Sequence, residues 1–205
     1  FSDTTGLRRI IRENNKIMGI VEEKDASTQQ QQIKEIYSGI MLISAELLNH
    51  YLPLLNNNNA QGEYYLTELI AKAVADNIAI DAVQIKNEYE VKGVNNRLQL
   101  SELERYYQQQ QAKQLLLSGV TIADPNRIDI RGSLICQQDV FIDINTIFEG
   151  EVILGEGCQI GPNCCLKNVK LGNHVTIKAN SVLEDAEISD DCIIGHFARI
   201  RAGTH

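Results

Sequence analysis

Residues 152–172 read Val-Ile-Leu-Gly-Glu-Gly-Cys-Gln-Ile-Gly-Pro-Asn-Cys-Cys-Leu-Lys-Asn-Val-Lys-Leu-Gly. A large aliphatic residue stands at every sixth place, at Leu154, Ile160 and Leu166, with Val152, Cys158 and Cys164 two places before each. Backward, the same step reaches Phe148, Ile142, Cys136 and Ile130. Forward, the register slips by one to Leu171, Ile177 and Leu183, and once more to Ile188, Ile194 and Ile200. All thirteen markers are apolar, whereas the chain as a whole is 43% hydrophobic. Val140, Val169, Val175, Ala186, Cys192 and Ala198 repeat the small or apolar residue two places before the marker, and Gly155, Gly161, Gly172 and Gly195 follow it.

Helices repeat at 3.6 residues and strands at 2, so a period of six fits neither alone. It fits short strands joined by sharp turns, one bulky side chain per face pointing inward. Three such faces close one coil of a left-handed parallel β-helix over residues 119–205, and neighbouring coils bury each other's markers. The five cysteines fall within this scheme. Cys158, Cys164 and Cys192 take the small inner position, Cys136 takes a marker, and Cys165 points outward. An odd count confined to the last third is not a secreted disulfide framework, and the gap from Cys158 to Cys164 is not a zinc spacing. These are therefore expected to be structural thiols in a reducing, cytoplasmic compartment.

Before the coils, residues 98–118 read as a connecting helix. Ser101 and Glu104 have capping-box spacing, Leu100, Leu103 and Tyr107 share a face, and Gly119 is placed to stop the helix. Gln108–Gln111 reads as a solvated face. Residues 1–97 alternate strand and helix signals, as an α/β layer with a mixed sheet would. Residues 9–21 suggest a hairpin turning at Glu13–Lys16, Ile36–Ile43 and Ile78–Ile85 suggest strands, and Ser44–Leu55 (Ser44 as N-cap) and Tyr65–Ala75 suggest helices, with a four-asparagine loop at Asn56–Asn59.

The 205 residues carry 19 Lys+Arg against 27 Asp+Glu, a formal charge of −8. No basic stripe is available to displace nucleic-acid counterions, so no nucleic-acid partner is expected. The longest apolar runs, such as Gly39–Ile43, are too short for a membrane span. The chain starts at Phe1 and stops at His205 inside a repeat, so it is expected to be an internal piece of a longer protein.

Three stretches carry a family resemblance. They are Asn57-Asn58-Asn59-Ala60-Gln61-Gly62-Glu63-Tyr64-Tyr65-Leu66-Thr67, Gly93-Val94-Asn95-Asn96-Arg97-Leu98-Gln99-Leu100, and Phe197-Ala198-Arg199-Ile200-Arg201. Together with the coils, they resemble the bacterial bifunctional N-acetylglucosamine-1-phosphate uridyltransferase / glucosamine-1-phosphate acetyltransferase. The resemblance implies the C-terminal portion of an α/β nucleotidyltransferase domain, a long helix, and the first coils of an acetyltransferase β-helix that assembles as a homotrimer. It implies acetyl transfer from acetyl-CoA to glucosamine 1-phosphate, then uridylyl transfer from UTP to N-acetylglucosamine 1-phosphate with Mg²⁺ as cofactor. No catalytic residue falls within this chain, because the nucleotide loop and a magnesium-binding Asp would lie upstream and the catalytic His downstream. The isolated piece is therefore expected to be inactive.

By position, Glu22 matches the family's sugar-binding Glu, Asn95 its magnesium ligand, Tyr65 and Thr67 residues lining the sugar pocket, and Arg201 a residue gripping the sugar phosphate. The chemistry suits these roles. A carboxylate accepts from sugar hydroxyls, an amide oxygen is a hard neutral ligand, and a guanidinium fork fits phosphate oxygens. Read without the resemblance, Glu22 is a solvated strand end, Asn95-Asn96 a turn, Tyr65 and Thr67 a helix start, and Arg201 a surface arginine.

The chain also departs from the family. Gly6-Leu7-Arg8-Arg9 stands where the family has Gly-Tyr-Gly-Arg, so Arg8 replaces a glycine and is expected to crowd the pocket. Tyr37 replaces an Asn, and Val91-Lys92-Gly93 replaces Val-Glu-Gly. His50, His174, His196 and His205 read as structural or solvated. Two alternatives stay open: a non-catalytic trimeric scaffold, and another sugar-nucleotide pyrophosphorylase with a β-helix tail.

Overall fold

The computed structural model describes residues 4–203. His205, expected to be structural or solvated, lies outside them. The chain divides between Gly93 and Val94 into two compact units.

The first unit opens with a hairpin of β1 (Arg8–Glu13) and β2 (Lys16–Val21), to which β3 (Ile36–Tyr37) adds antiparallel beside β1. The turn is Asn14-Asn15, both left-handed at φ 47° and 67°. That geometry matches the twist of the two strands, and asparagine tolerates it well. Ser44 accepts from the Leu47 N–H at 3.2 Å and starts α1 (Ala45–Tyr51). Pro53, which has no N–H to donate, ends the α-helix early and leaves one 3-10 turn at Leu52–Leu54. Next comes α2 (Glu68–Ala75), three residues later than its apolar spacing suggested. It packs on β2, where Gly19 sits against Ala71. Tyr51, Leu69 and Ala73 form the small core, with the Tyr51 hydroxyl donating to Asp76 at 2.9 Å.

Two expected strands are corrected. Ile36–Ile43 is strand only at its first two residues, and Ile78–Ile85 is irregular. Alternation marks a strand only when one face is covered. Among the described residues nothing covers Ile40, Leu42 or Val83, which are 72%, 100% and 94% exposed.

The second unit begins with α3 (Arg97–Leu117). Its cap is Asn96, which accepts from the Gln99 N–H at 2.9 Å. The expected Ser101–Glu104 capping box therefore lies inside the helix, and Glu104 accepts from Gln108 instead. The helix ends in a Schellman turn: Gly119 is left-handed, its N–H reaches Leu116 O, and the Val120 N–H reaches Leu115 O. The buried face is Gln108, Ala112 and part of Leu115, while Leu100 and Tyr107 are exposed.

Then come β4 (Thr121–Ile122), β5 (Ile128–Cys136), β6 (Phe141–Ile142), β7 (Thr146–Leu154), β8 (Gln159–Ile160), β9 (Cys165–Leu171), β10 (Thr176–Ile177), β11 (Val182–Ile188), β12 (Ile193–Ile194) and β13 (Arg199–Ile200). They form two parallel stacks, β4-β6-β8-β10-β12 and β5-β7-β9-β11-β13. The second stack bends around a corner and so supplies two faces. The stacked coils fit the expected left-handed β-helix.

The markers align into three inward columns. One runs Ile130–Phe148–Leu166–Leu183–Ile200, another Cys136–Leu154–Leu171–Ile188, and the third Ile142–Ile160–Ile177–Ile194, which Ile122 begins. Nine of the thirteen are buried, and Cys136, Ile188, Ile194 and Ile200 pack partly against them.

The two register slips have a local cause. At one corner, β7 spends two residues, Gly150 and Glu151, where β9 spends only Asn168 and β11 only Asp185. Asn168 and Asp185 are left-handed, at φ 51° and 49°. The Asn168 side chain accepts the Glu151 N–H and donates to Asp185 at 2.9 Å, tying the shortened corners together.

The cysteines lie as expected. Cys158 and Cys164 are buried in the core and donate to Gly172 O and Lys178 O, Cys136 and Cys192 pack partly against it, and Cys165 is half-exposed. Burial raises the thiols of Cys136, Cys158, Cys164 and Cys165, that of Cys136 from 9.0 to about 12. At pH 8 the native chain should therefore leave Cys136, Cys158 and Cys164 unalkylated by iodoacetamide, while the unfolded chain reacts at all five. Mass mapping checks this, and native modification of Cys136 at the unfolded rate would contradict it. A thiol raised by folding keeps its proton in the native state. These groups therefore stabilise below pH 9, and that contribution is lost as pH climbs from about 9 towards 12.

Candidate functional site

In the first unit, the antiparallel register that pairs Arg9 with Val21 brings Arg8 across from Glu22, the residue after β2. Packing of α2 on β2 brings up Thr67, in the turn before the helix. The Glu22 carboxylate, whose side chain is 12% exposed, accepts from Arg8 Nε at 2.5 Å and from Thr67 Oγ1 at 3.3 Å, both on one oxygen. Tyr65 is buried beside them, and Gln61 Nε2 donates to its hydroxyl at 2.9 Å. Burial raises the Tyr65 phenol, the Gln61 hydrogen bond opposes the rise, and Asp25 and Glu22 add to it. Tyr37 stands opposite Arg8 on β3. Burial raises its phenol too, and the Arg8 charge partly offsets the rise.

The four-asparagine loop holds Gln61 and Tyr65 in place. Asn59 accepts the N–H groups of Gln61 and Glu63, Asn56 accepts that of Asn58, Asp25 accepts that of Ala60, and Lys24 donates to Gln61 Oε1. Asparagine side chains thus replace the ladder bonds that a coil lacks. Arg9, 1% exposed, is held by Glu23 at 2.7 Å and by the Leu7 and Gln31 carbonyls.

Of the five expected site residues, Glu22, Tyr65 and Thr67 are thus brought together. Asn95 and Arg201 belong to the second unit. Asn95 is exposed, one place before the α3 cap, and its N–H donates to Gln99 Oε1. Among the described residues no group of three His, Cys, Asp or Glu could hold a metal ion. One neutral oxygen at Asn95 does not make a magnesium site, so these residues alone do not fit the implied ion.

Arg201 follows β13 and is exposed. It continues a column the sequence reading missed: Arg131, Glu149, Lys167 and Glu184 stand in register on adjacent coils, alternating in sign. Arg131 meets Glu149 at 3.0 Å, and Arg199 lies 3.8 Å from Glu184. Counting 17 or 18 residues back from Arg201 would have found it. The histidines stand where expected: His50 is edge-on to Tyr51 in α1, and His174 and His196 are in coil turns. No helix among the described residues is long and apolar enough to cross a membrane.

No family model matches the chain. Whole-sequence comparison finds relatives described as "Bifunctional protein GlmU". The protein from Legionella pneumophila (strain Lens) is 57% identical over 98% of this chain, that from Acinetobacter baylyi 53% over 99%, and that from Marinobacter nauticus 50% over 97%. The chain covers 44%, 45% and 44% of those proteins, a little under half of each. The likeness runs through the sheet-bearing unit and the solenoid alike, so over nearly its whole length the chain is similar to a stretch of the bifunctional GlmU proteins.

Proposed function

We propose that this chain is part of a two-activity transferase of UDP-N-acetylglucosamine biosynthesis. The solenoid belongs to the unit that acetylates glucosamine 1-phosphate from acetyl-CoA. The first unit belongs to the one that transfers uridylyl from UTP to N-acetylglucosamine 1-phosphate. The observation that carries this reading is the meeting of Glu22, Thr67 and Tyr65 on a chain that also winds a hexapeptide solenoid. Glu22 accepts from the sugar hydroxyls, Thr67 orients Glu22, and Tyr65 forms a wall. Arg201 grips the phosphate of glucosamine 1-phosphate with its planar fork. The resemblance points to Asn95 as a magnesium ligand, where its amide oxygen would supply one hard, neutral donor. In this reading the protein works in the cytoplasm as a homotrimer joined through the β-helix, which the resemblance supports.

A second reading, a non-catalytic trimeric scaffold, draws support from Arg8, which already occupies one oxygen of Glu22. The complete protein decides between them. With UTP, Mg²⁺ and N-acetylglucosamine 1-phosphate it should release pyrophosphate, and with acetyl-CoA and glucosamine 1-phosphate it should release free CoA thiol. The 205-residue chain alone should do neither. A complete protein that assembles but yields neither product is a scaffold.

A further inference from the structure

We propose that Arg8 is a specificity-determining residue that competes with the sugar for Glu22. The proposal rests on the sugar-site reading above. Glu22 is confined, with a side chain 12% exposed, so it has few directions in which to accept a hydrogen bond. One of its oxygens already takes both Arg8 Nε and Thr67 Oγ1. A charged donor on a carboxylate is roughly twice as strong as a neutral one. A sugar hydroxyl is a neutral donor, so it gains that oxygen only by dislodging the guanidinium.

Arg8 can be dislodged. Its own side chain is 46% exposed, and it is anchored at the first residue of β1, with solvent to turn into. The ion pair is therefore a removable occupant, and it weakens the binding of neutral sugars without abolishing it. Thr67, 4% exposed, stays on Glu22 in either state and keeps the carboxylate oriented. The burden falls on sugar binding, so it is expected in the KM for the sugar phosphate rather than in kcat.

The test uses the complete protein with R8A and R8K. R8A keeps the β-carbon and the strand. Titration calorimetry with N-acetylglucosamine 1-phosphate should show R8A binding about tenfold more tightly than the unsubstituted protein, with R8K between them. In the pyrophosphate assay the KM for the sugar should fall by a similar factor at nearly constant kcat. Salt screens a half-exposed pair, so the gap between the two proteins should narrow as KCl rises from 20 to 500 mM. Equal or weaker binding by R8A overturns the proposal, and so does a gap indifferent to salt. Absence of binding and of pyrophosphate in all three proteins overturns the sugar-site reading, and the proposal with it.

Discussion

Replacing Phe148 with alanine should lower the stability of the solenoid by about 3–5 kcal/mol, the largest effect expected of a single side chain here. Phe148 is 1% exposed and sits in the first column between Ile130 below and Leu166 above. A truncated core side chain costs the lost transfer free energy plus the cavity left behind, and the cavity part depends on how far the surroundings can close in. Here they cannot close far. The neighbouring coils are held by the backbone ladder at about 4.8 Å per step, so Ile130 and Leu166 stay at their own levels. The loss also spreads, because each coil of a solenoid is stabilised chiefly by its neighbours. Urea denaturation of F148A against the parent chain measures it. I135A, in the same stack but half-exposed and pointing outward, should change stability by less than about 0.5 kcal/mol. Equal midpoints for the two variants would mean that the column is not the core.

The contrast between an inward and an outward position also explains what the sequence could disclose. In the solenoid every coil meets the same demand, one inward residue per face, so the demand is written thirteen times and is visible at a spacing of six. Even its interruptions have a local signature, since Asn168 and Asp185 are residues that tolerate the left-handed corner where Gly150 and Glu151 stood a coil earlier. The first unit offers no such repetition. Ile40, Leu42 and Val83 have the apolar character of strand residues, yet nothing among the described residues covers them, and a local pattern cannot say what will lie on top of it. The site is divided in the same way. Tyr65 and Thr67 were picked out as candidates within a short stretch of resemblance and Glu22 by its position at the end of the second hairpin strand, whereas the grip of Arg8 on Glu22 follows from a pairing register that no single strand encodes.

Gln108 is where the sequence reading failed most plainly, and it supports the second large prediction. As one of four consecutive glutamines it reads as solvated, yet it is 2% exposed. Its Oε1 accepts the Ile130 N–H at 2.8 Å, and its Nε2 donates to the Ile130 carbonyl at 2.9 Å and to Glu104. β5 is the edge of its stack, so Ile130 has no strand beyond it to bond. The glutamine amide mimics a peptide group and closes that edge, while Ala112 covers the apolar column beside it. In Q108L the volume is kept and both bonds vanish. Two buried backbone groups are then orphaned, at about 1–3 kcal/mol each. The damage should be local. The Ile130 amide should lose its hydrogen-exchange protection and β5 should fray, while Ile160 and Leu166 in the inner coils stay protected. The neighbour Gln109, exposed and bonded to the Asn126 side chain, is the control, and Q109L should leave the Ile130 amide protected. If Ile130 exchanges no faster in Q108L than in the parent chain, water or a shift of α3 satisfies the edge, and the side-chain amide is not what closes the first coil.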